Sequence, residues 1–322
     1  MPRKRTACIL LLYFLLPLPS SHGQTETQWR IAFWNVENFF DTTHDTLKSD
    51  EAFLPSGDNH WTSRRYDDKR NKIYKMIAAM QWPAAIGLAE VENDRVLRDL
   101  CYGTPLRRKG YAFIHFESPD QRGVDCALLY RSDLFHPTES KPLVVSDSSA
   151  GFLTRDILLV GGILTGGDSC FLLVNHWPSK LGGAEADRHR MDIAHRLRYT
   201  MDSLQQTHPD ALILAMGDFN AAPEEEAVRK GLGFNGKRQN TDGFYHLMYH
   251  IPKGTGSYKY HESWSCIDQM IANRDLTAAV FATDFILIDD QKYMGKKLFR
   301  TYLGMRYVGG YSDHLPVIVD IP

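Results

Sequence analysis

Strand-length apolar runs that end in polar residues recur along the chain and constrain its fold more than any other feature. Strands are predicted at residues 30–36, 84–91, 111–117, 124–130, 156–164, 170–176, 211–216, 263–272, 285–288 and 317–321. Helical spacing of apolar side chains predicts helices at residues 67–80, 94–100 and 184–206. Many strands with few helices predict an α/β (α+β) protein in which two packed sheets carry helices outside.

The N-terminal residues have the order of a secretory signal peptide. Three basic residues at 3–5 precede an apolar run at 7–16, and small or structure-breaking residues follow at 17–23. The alternative is a membrane anchor, but a bilayer span takes about 20 apolar residues and this run is shorter. Cys8 lies at the start of the apolar run and not after it, which disfavours a lipoprotein signal. We therefore expect cleavage near Gly23 and export to the periplasm or the medium.

Residues 24–322 contain no repeat, no low-complexity tract and no linker, which predicts a single catalytic domain. No later apolar segment is long enough to span a membrane, and no feature indicates a protein partner. Residues 1–23 hold three positive charges and no acid, so their removal moves the formal net charge from −2 to about −5. A mildly acidic chain is a poor general nucleic-acid binder, but an enzyme can meet nucleic acid at one local site.

The cysteines beyond the leader do not form a metal-binding or redox motif. They lack a C-x-x-C pair, which argues against a zinc ribbon or a thioredoxin-like site. Four cysteines allow three disulfide pairings, and burial as free thiols is an equally good interpretation. They are Cys101, Cys126, Cys170 and Cys266.

Polar side chains sit at the ends of six predicted strands. A single such residue is usually a turn or a helix cap, but six placements together point to a site where strand ends converge. Carboxylates and amides suit Mg²⁺, Mn²⁺ or Ca²⁺ better than zinc, and hydrolysis of a phosphodiester needs a metal, a base and donors to phosphate oxygens. The residues are Asn35, Glu90, His176, Asp218 with Asn220, Asp268, and Asp313 with His314.

These motifs resemble the endonuclease/exonuclease/phosphatase superfamily, and in particular its deoxyribonuclease-I-like branch of the secreted bacterial type. The most specific pieces are Gly-Asp-Phe-Asn at 217–220 and Ser-Asp-His-Leu-Pro-Val at 312–317. Weaker pieces at 34–36, 175–176 and 267–268 occur in the family's order, and the likeness runs from Ile31 to Asp320. The resemblance implies a four-layered αββα sandwich of two mainly antiparallel sheets, packed face to face with helices outside.

The resemblance also implies roles for individual residues. Those implied at a Mg²⁺ site (Mn²⁺ or Ca²⁺ as alternatives) are Glu90 as the main ligand, Asn35 beside it and Asp313 nearby. The implied catalytic residues are Asp218 and Asn220, which orient water and phosphate, His314 on the scissile phosphate, Asp268 hydrogen-bonded to that histidine, and His176, the second histidine of the deoxyribonuclease branch.

Other positions carry weaker expectations. Arg155 resembles a phosphate-binding arginine, with a surface arginine as the alternative, and Glu117 is a candidate partner of His176. Strand alternation also sends Glu92 to the same side as Glu90. Candidate substrate contacts follow His176: Lys180 and Arg188 for phosphates, and Trp177 for base stacking or core packing. The glycine-rich, aromatic segment 254–260 is either a substrate-facing loop or a plain hairpin.

We therefore expect a secreted, metal-dependent nuclease that cleaves phosphodiester bonds of DNA or RNA. A second hypothesis keeps the chemistry and changes the substrate to a phospholipid, sphingomyelin or an inositol phosphate. No basic cluster or amphipathic stretch argues for a lipid surface. A third hypothesis, a non-enzymatic binding module, conflicts with the competent residues at every core polar position.

Overall fold

A computed structural model describes residues 29–147 and 151–322 of the chain, so the predicted signal peptide lies outside the described residues. The strands are β1 (Trp29–Phe39), β2 (Ala85–Val91), β3 (Tyr111–His115), β4 (Asp125–Arg131), β5 (Phe135–Leu143), β6 (Ile157–Leu164), β7 (Ser169–His176), β8 (Leu212–Asp218), β9 (Tyr245–His246), β10 (Tyr258–Tyr260), β11 (Ser263–Ser265), β12 (Asp268–Ala272), β13 (Ala278–Val280), β14 (Leu287–Asp289), β15 (Lys296–Leu298), β16 (Tyr302–Leu303), β17 (Arg306–Tyr307) and β18 (Val317–Ile321). The main helices are α1 (Ser63–Ala79), α2 (Asp94–Gly103) and α3 (Gly183–Thr207). Short helical turns occur at Glu51–Phe53, Pro105–Lys109, Lys180–Gly182 and Ala227–Gly231.

Two six-stranded sheets form the body of the protein. The first has the order β13-β18-β1-β2-β4-β3, and the second has the order β5-β6-β7-β8-β12-β9. Each sheet contains one parallel pair, β1 with β2 and β7 with β8, while the other pairings within them are antiparallel. The C-terminal ends of each parallel pair lie at the same edge, so polar residues that follow them are brought together.

Three apolar clusters separate four layers. One packs α1 and α2 on the first sheet, the second lies between the sheets, and the third packs α3 on the second sheet. Ile73, Met76 and Ile77 of α1 are fully buried, as the helical stripe predicts. The predicted αββα sandwich is confirmed.

Two predicted strands differ from the observed ones. The segment 263–272 divides into β11, which forms a hairpin with β10, and β12, which joins the second sheet. The break falls at Cys266 and Ile267, where the Ile267 carbonyl accepts a hydrogen bond from Phe219 N at 2.9 Å instead of continuing the hairpin. The segment 285–288 does not join either main sheet: β14 pairs with β15.

Strand β5 was not predicted because its sequence lacks an apolar pattern. It lies at the edge of the second sheet, where Pro137 and Pro142 are tolerated and most side chains face solvent. All four cysteines of the described segments are buried free thiols, which resolves the open alternatives against disulfides. Burial raises the pKa of the Cys101, Cys170 and Cys266 thiols to about 12. In residues 29–147 and 151–322 no helix has the length and apolarity to cross a membrane.

Candidate active site

The two parallel strand pairs deliver polar side chains to one edge of the sandwich. Asn35 lies in β1 and Glu90 in β2, while His176 ends β7 and pairs in register with Asp218 at the end of β8. Gly217 lets the chains approach closely, because a Cβ there would lie 2.3 Å from the Asn175 carbonyl oxygen. The strand ends predicted to converge therefore meet at the edge shared by both sheets.

The backbone leaves the extended conformation at this edge. Glu37, Asn38, Glu90 and Asn220 have φ angles of 55°, 53°, 63° and 46°, in the left-handed region that non-glycine residues rarely occupy. The register of β2 shifts around Glu90, between Ala89 and Val91. Such local strain is concentrated at functional sites, where it re-aims side chains.

Asn35 links the two sheets at the centre of the site. Its Nδ2 donates to Glu90 Oε1 at 3.3 Å and to Asp218 Oδ2 at 3.1 Å. Its Oδ1 accepts from Glu37 N at 3.0 Å, and Asn38 N donates to Glu90 Oε2 at 2.8 Å. In this arrangement Asn35 orients the carboxylates with its amide nitrogen and does not turn an oxygen towards them.

His314 and Asp268 form a buried pair on one side of Asp218. His314 Nδ1 lies 2.8 Å from Asp268 Oδ2, and the Ser257 hydroxyl donates to the same carboxylate oxygen. His314 Nε2 faces Asp218 Oδ2 at 3.7 Å. Burial by itself lowers the pKa of His314, but the charges of Asp268 and Asp218 outweigh it and hold the pKa well above its ordinary value. The imidazole is therefore a fixed cation whose Nε2–H points into the site.

Asp218 is the most central carboxylate. Burial raises its pKa to about 7, an effect that His314 opposes and Asp268 reinforces. Asn220 N donates to Asp218 Oδ1 at 2.9 Å, while the Asn220 side chain donates to the Trp177 carbonyl at 3.0 Å. A carboxylate with a pKa near neutrality is suited to accept a proton from water.

His176 lies on the other side of Asp218. Its Nε2 is 3.8 Å from Asp218 Oδ2 and 3.9 Å from Glu90 Oε1. Its buried Nδ1 has no hydrogen-bond partner among the described residues. Burial, followed by the charge of Arg155, lowers the pKa of His176 well below its ordinary value, so the ring is neutral.

Glu117 is not the partner of His176, contrary to the sequence-based expectation. It is exposed beyond the end of β3, where its carboxylate lies with His115 and Asp125. His115 is held between two carboxylates, with Nδ1 2.9 Å from Asp94 Oδ1 and Nε2 3.1 Å from Asp125 Oδ2. Glu117 therefore belongs to a separate group of charges.

Arg155 is buried, which contradicts the surface-arginine alternative. One terminal nitrogen donates to Asp120 Oδ2 at 2.9 Å and the other to the Trp177 carbonyl at 2.8 Å. The guanidinium thus supports the segment that follows His176 and does not extend freely towards a phosphate. The Trp177 ring is also buried, stacked on Phe219 at 4.2 Å, which corrects the base-stacking interpretation in favour of core packing.

Lys180 and Arg188 are not brought into the central cluster. The Lys180 ammonium pairs with Glu225 at the surface. Arg188 lines an open surface depression of about 500 Å³ that also carries Glu224, Glu225 and Glu226. Both side chains therefore lie beside acidic residues outside the central cluster, and their contacts with a phosphate stay a prediction.

Glu92 does not accompany Glu90, because the left-handed Glu90 backbone interrupts the alternation of β2. The Glu92 carboxylate is buried and accepts a hydrogen bond from Asp41 N, away from the central cluster. Burial raises its pKa to about 8. The prediction from strand alternation that Glu92 lies on the same side as Glu90 is therefore wrong.

Two cationic neighbours of the site, the buried Lys69 and the partly exposed Arg300, were missed by sequence reasoning. Lys69 Nζ donates to Thr301 Oγ1 at 2.6 Å and to the Tyr311 carbonyl at 2.7 Å, and burial lowers its pKa to about 8. Arg300 donates to Asp313 Oδ2 at 2.8 Å and lies 3.5 Å from Glu37. A lysine four positions before Ile73, on the apolar stripe of α1, was the available signal for Lys69. No sequence pattern indicated the contacts of Arg300.

The donor set fits a hard divalent cation. Glu90 Oε1 is not used by a backbone donor, and Asp218, Asp268 and His314 bring ligand atoms within 4.8 Å of one another. Carboxylate oxygens crowded in a buried place favour a compensating positive charge. Glu90 and Asp313, the ligands that the resemblance implies, lie outside that group, so their role at the cation stays a prediction, and Asn35 would contribute only after its amide turns to present Oδ1.

Comparison with solved structures shows the same fold at low sequence identity. A humanised TDP2 from D. rerio is 16% identical, with a TM-score of 0.58 over 91% of this chain and 98% of that one. The human Nocturnin catalytic domain with bound sulfate is 17% identical, with a TM-score of 0.56 over 91% and 94%. A mannosyl-6-phosphatase from Bacteroides thetaiotaomicron is 18% identical, with a TM-score of 0.56 over 91% and 98%. Among curated proteins no match was found.

A sequence model of one family covers almost all of the described chain. The Endonuclease/Exonuclease/phosphatase family model matches residues 30–322, from the first residues of β1 to the C-terminus. The matched span includes both sheets and every residue of the central cluster. The resemblance to the superfamily is confirmed, whereas the deoxyribonuclease-I-like branch stays a prediction. The chain belongs to the Endonuclease/Exonuclease/phosphatase family of phosphoester hydrolases.

Proposed function

We propose that this chain is an exported, divalent-metal-dependent phosphodiesterase that cleaves nucleic acid. The observation that carries the proposal is the placement of Asp218 Oδ2 between two histidines, 3.8 Å from His176 Nε2 and 3.7 Å from His314 Nε2, with Asp268 fixing His314. Phosphodiester hydrolysis needs a base near neutrality and a cationic donor to the phosphate, and this cluster supplies both.

In the proposed reaction a water molecule attacks phosphorus and gives a proton to Asp218. The His314 Nε2–H donates to a non-bridging phosphate oxygen, while Asp268 and Ser257 keep the ring in place. The bond between phosphorus and the leaving oxygen breaks, and that oxygen takes a proton from solvent. A cation at Glu90 and Asp313 would neutralise charge that develops on the phosphate. His176 contacts the phosphate as a neutral imidazole.

A second candidate substrate is a small phosphoester, in which the same residues act on a phosphorylated sugar, an inositol phosphate or a lipid headgroup. The structural likeness to a mannosyl-6-phosphatase favours keeping this candidate. The filled positions of the cluster argue against a non-enzymatic module.

Cleavage of supercoiled plasmid by residues 24–322 tests the proposal, with Mg²⁺, Mn²⁺, Ca²⁺ or EDTA. We expect nicking that requires a divalent cation and is lost in His314→Ala. His195→Ala, at an exposed histidine of α3, is the matched control and should cleave normally. Absence of nicking of plasmid, single strands and RNA, together with release of phosphate from a phosphorylated sugar, would replace the nuclease with the second candidate.

Export is a separate part of the proposal and rests on the residue order of 1–23. N-terminal sequencing of protein recovered from outside the cytoplasm should begin near Gln24. Recovery of the intact N-terminus in the cytoplasmic fraction would overturn export without affecting the chemistry.

A further inference from the structure

Two hairpins beside His314 are joined into one unit, which we call the aromatic arm: residues 258–265 (β10 and β11) and 287–298 (β14 and β15). Lys259 Nζ donates to Asp290 Oδ2 at 2.8 Å and to the Lys296 carbonyl at 3.0 Å. The Lys259 and Asp290 side chains are only 6% and 4% exposed, so this ion pair fixes the hairpins together.

The base of the aromatic arm is built into the catalytic cluster. Tyr258 forms a β-bridge with His314, and their ring centroids are 4.9 Å apart. Leu315 N donates to the Ser257 carbonyl at 2.7 Å. Gly256, with φ of 152°, permits the tight approach, since a Cβ there would lie 2.3 Å from the Ser265 carbonyl. The arm therefore starts at the edge of the site and extends away from it.

A row of rings runs outward along the arm. Tyr258 and Tyr260 lie on the same face of β10, because side chains alternate along a strand. The Tyr260 ring stacks on His261 at 4.2 Å, and the His261 ring lies 5.5 Å from that of Tyr293. Tyr260 is 63% exposed and belongs to none of the apolar clusters. Packing of the core therefore does not account for this row.

The arm carries a small positive charge in a chain of slightly negative net charge. Residues 258–265 and 287–298 contain four lysines against one glutamate and two aspartates, a net charge of +1, whereas the whole chain has a net charge of −2. Lys292 Nζ lies 4.8 Å from the centroid of the Tyr293 ring. Exposed aromatic rings interleaved with cations are the combination that binds single strands of nucleic acid, since the rings stack on bases and the cations meet phosphates.

We propose that the aromatic arm is a binding site for unpaired bases of a single-stranded nucleic acid, which it holds beside the scissile phosphate. This inference rests on the proposed nuclease function and adds to it a preference for single-stranded or frayed segments. Tyr260 and Tyr293 supply the stacking surfaces, and Lys292 approaches the phosphates, since Lys297 is paired with Asp290.

Binding of a fluorescent twelve-residue oligothymidylate, measured by anisotropy in EDTA, tests the arm without any catalytic turnover. Loss of one base-stacking ring should raise Kd at least about fivefold, so we expect that effect for both Tyr260→Ala and Tyr293→Ala. Tyr260→Phe should keep wild-type affinity, because stacking needs the ring and not the hydroxyl. Tyr199→Ala, which removes a 68% exposed tyrosine from α3, is the matched control and should leave Kd unchanged.

An oligomer of the same length without bases separates stacking from backbone contacts. This base-free oligomer should bind the wild-type chain and Tyr260→Ala with equal affinity. If Tyr260→Ala instead loses affinity equally for the base-free oligomer and for the oligothymidylate, the proposal is overturned. Unchanged binding of the oligothymidylate by both Tyr260→Ala and Tyr293→Ala would also overturn it. The same holds if these two variants weaken only the binding of phosphorylated sugars. If plasmid cleavage fails but Tyr260-dependent binding persists, the nuclease proposal falls and the base-binding site stands.

Discussion

The two histidines that flank Asp218 lie at nearly the same distance from it but differ in their hydrogen-bond partners and in the direction of their pKa shifts. His314 Nε2 and His176 Nε2 lie 3.7 and 3.8 Å from the same Asp218 oxygen. His314 has Asp268 behind its other nitrogen, and its pKa is raised, whereas the Nδ1 of His176 has no partner in the described structure and its pKa is lowered. Burial lowers the pKa of both imidazoles; the charges of Asp268 and Asp218 outweigh it at His314, whereas the charge of Arg155 adds to it at His176, so neighbouring charges distinguish the two rings.

The largest expected effect follows from this difference in charge. His314→Ala should reduce kcat by about a thousandfold, within the range of roughly 10²–10⁴ for a positioned proton donor or acceptor. His176→Ala removes a neutral ring and should cost at least tenfold less than that. Metal-saturated initial rates on the substrate that is cleaved provide the measurement. Equal losses in the two variants would show that charge state does not distinguish the histidines.

A buried ion pair between Arg155 and Asp120 stabilises the segment that follows His176. Arg155 and Asp120 are 8% and 6% exposed and 2.9 Å apart, and Arg155 also holds the Trp177 carbonyl. Arg155→Gln leaves Asp120 buried without its cation, so the free energy of unfolding should fall by about 3 kcal/mol. Urea denaturation measures this loss. The double variant Arg155→Gln with Asp120→Asn should recover part of it, and a double variant that is destabilised additively would contradict the pairing.

His246, in β9 at the edge of the second sheet, is a third buried histidine to compare with His176 and His314. Burial lowers its pKa to about 4 from an ordinary value of 6.5. The unfolded chain therefore binds a proton between these values when the folded chain does not, and stability is lost as pH falls from 6.5 towards 4. Between pH 7 and pH 5 this group should cost about 2 kcal/mol of unfolding free energy. His246→Leu should show a smaller loss than wild type by that amount in urea denaturation at the two pH values.

The sequence predicted those parts of the site that depend on local order along the chain. Asn35, Glu90 and Asp218 lie towards the C-terminal ends of β1, β2 and β8, and His314 precedes β18, which runs antiparallel to β1, so the strand directions carry all four to one edge. Glu92 was misplaced because a left-handed residue interrupted the alternation on which its prediction depended.

Other features depend on contacts between distant segments, which no local pattern encodes. Lys69 meets Thr301 across 232 positions, and Arg155 meets Asp120 through loops of irregular shape. The Trp177 sequence fitted both a stacking platform and a core residue, and only its packing on Phe219 decided between them. The fold class was predictable from the number and length of the apolar runs, but its four layers came from the family resemblance.

The smallest expected effect concerns the clamp behind Asp268. Ser257 donates to the Asp268 oxygen that also meets His314, so Ser257→Ala removes one of two groups that hold this carboxylate. We expect kcat to fall about fivefold, because one hydrogen bond of roughly 1 kcal/mol is lost while the ion pair remains. Ser203→Ala, at an exposed serine of α3, is the matched control and should keep the wild-type rate. A fall as large as that of His314→Ala would mean that the hydroxyl, and not the aspartate, fixes the imidazole. An unchanged rate would mean that Asp268 alone is sufficient, and the contrast between His314 and His176 would then rest on a single carboxylate.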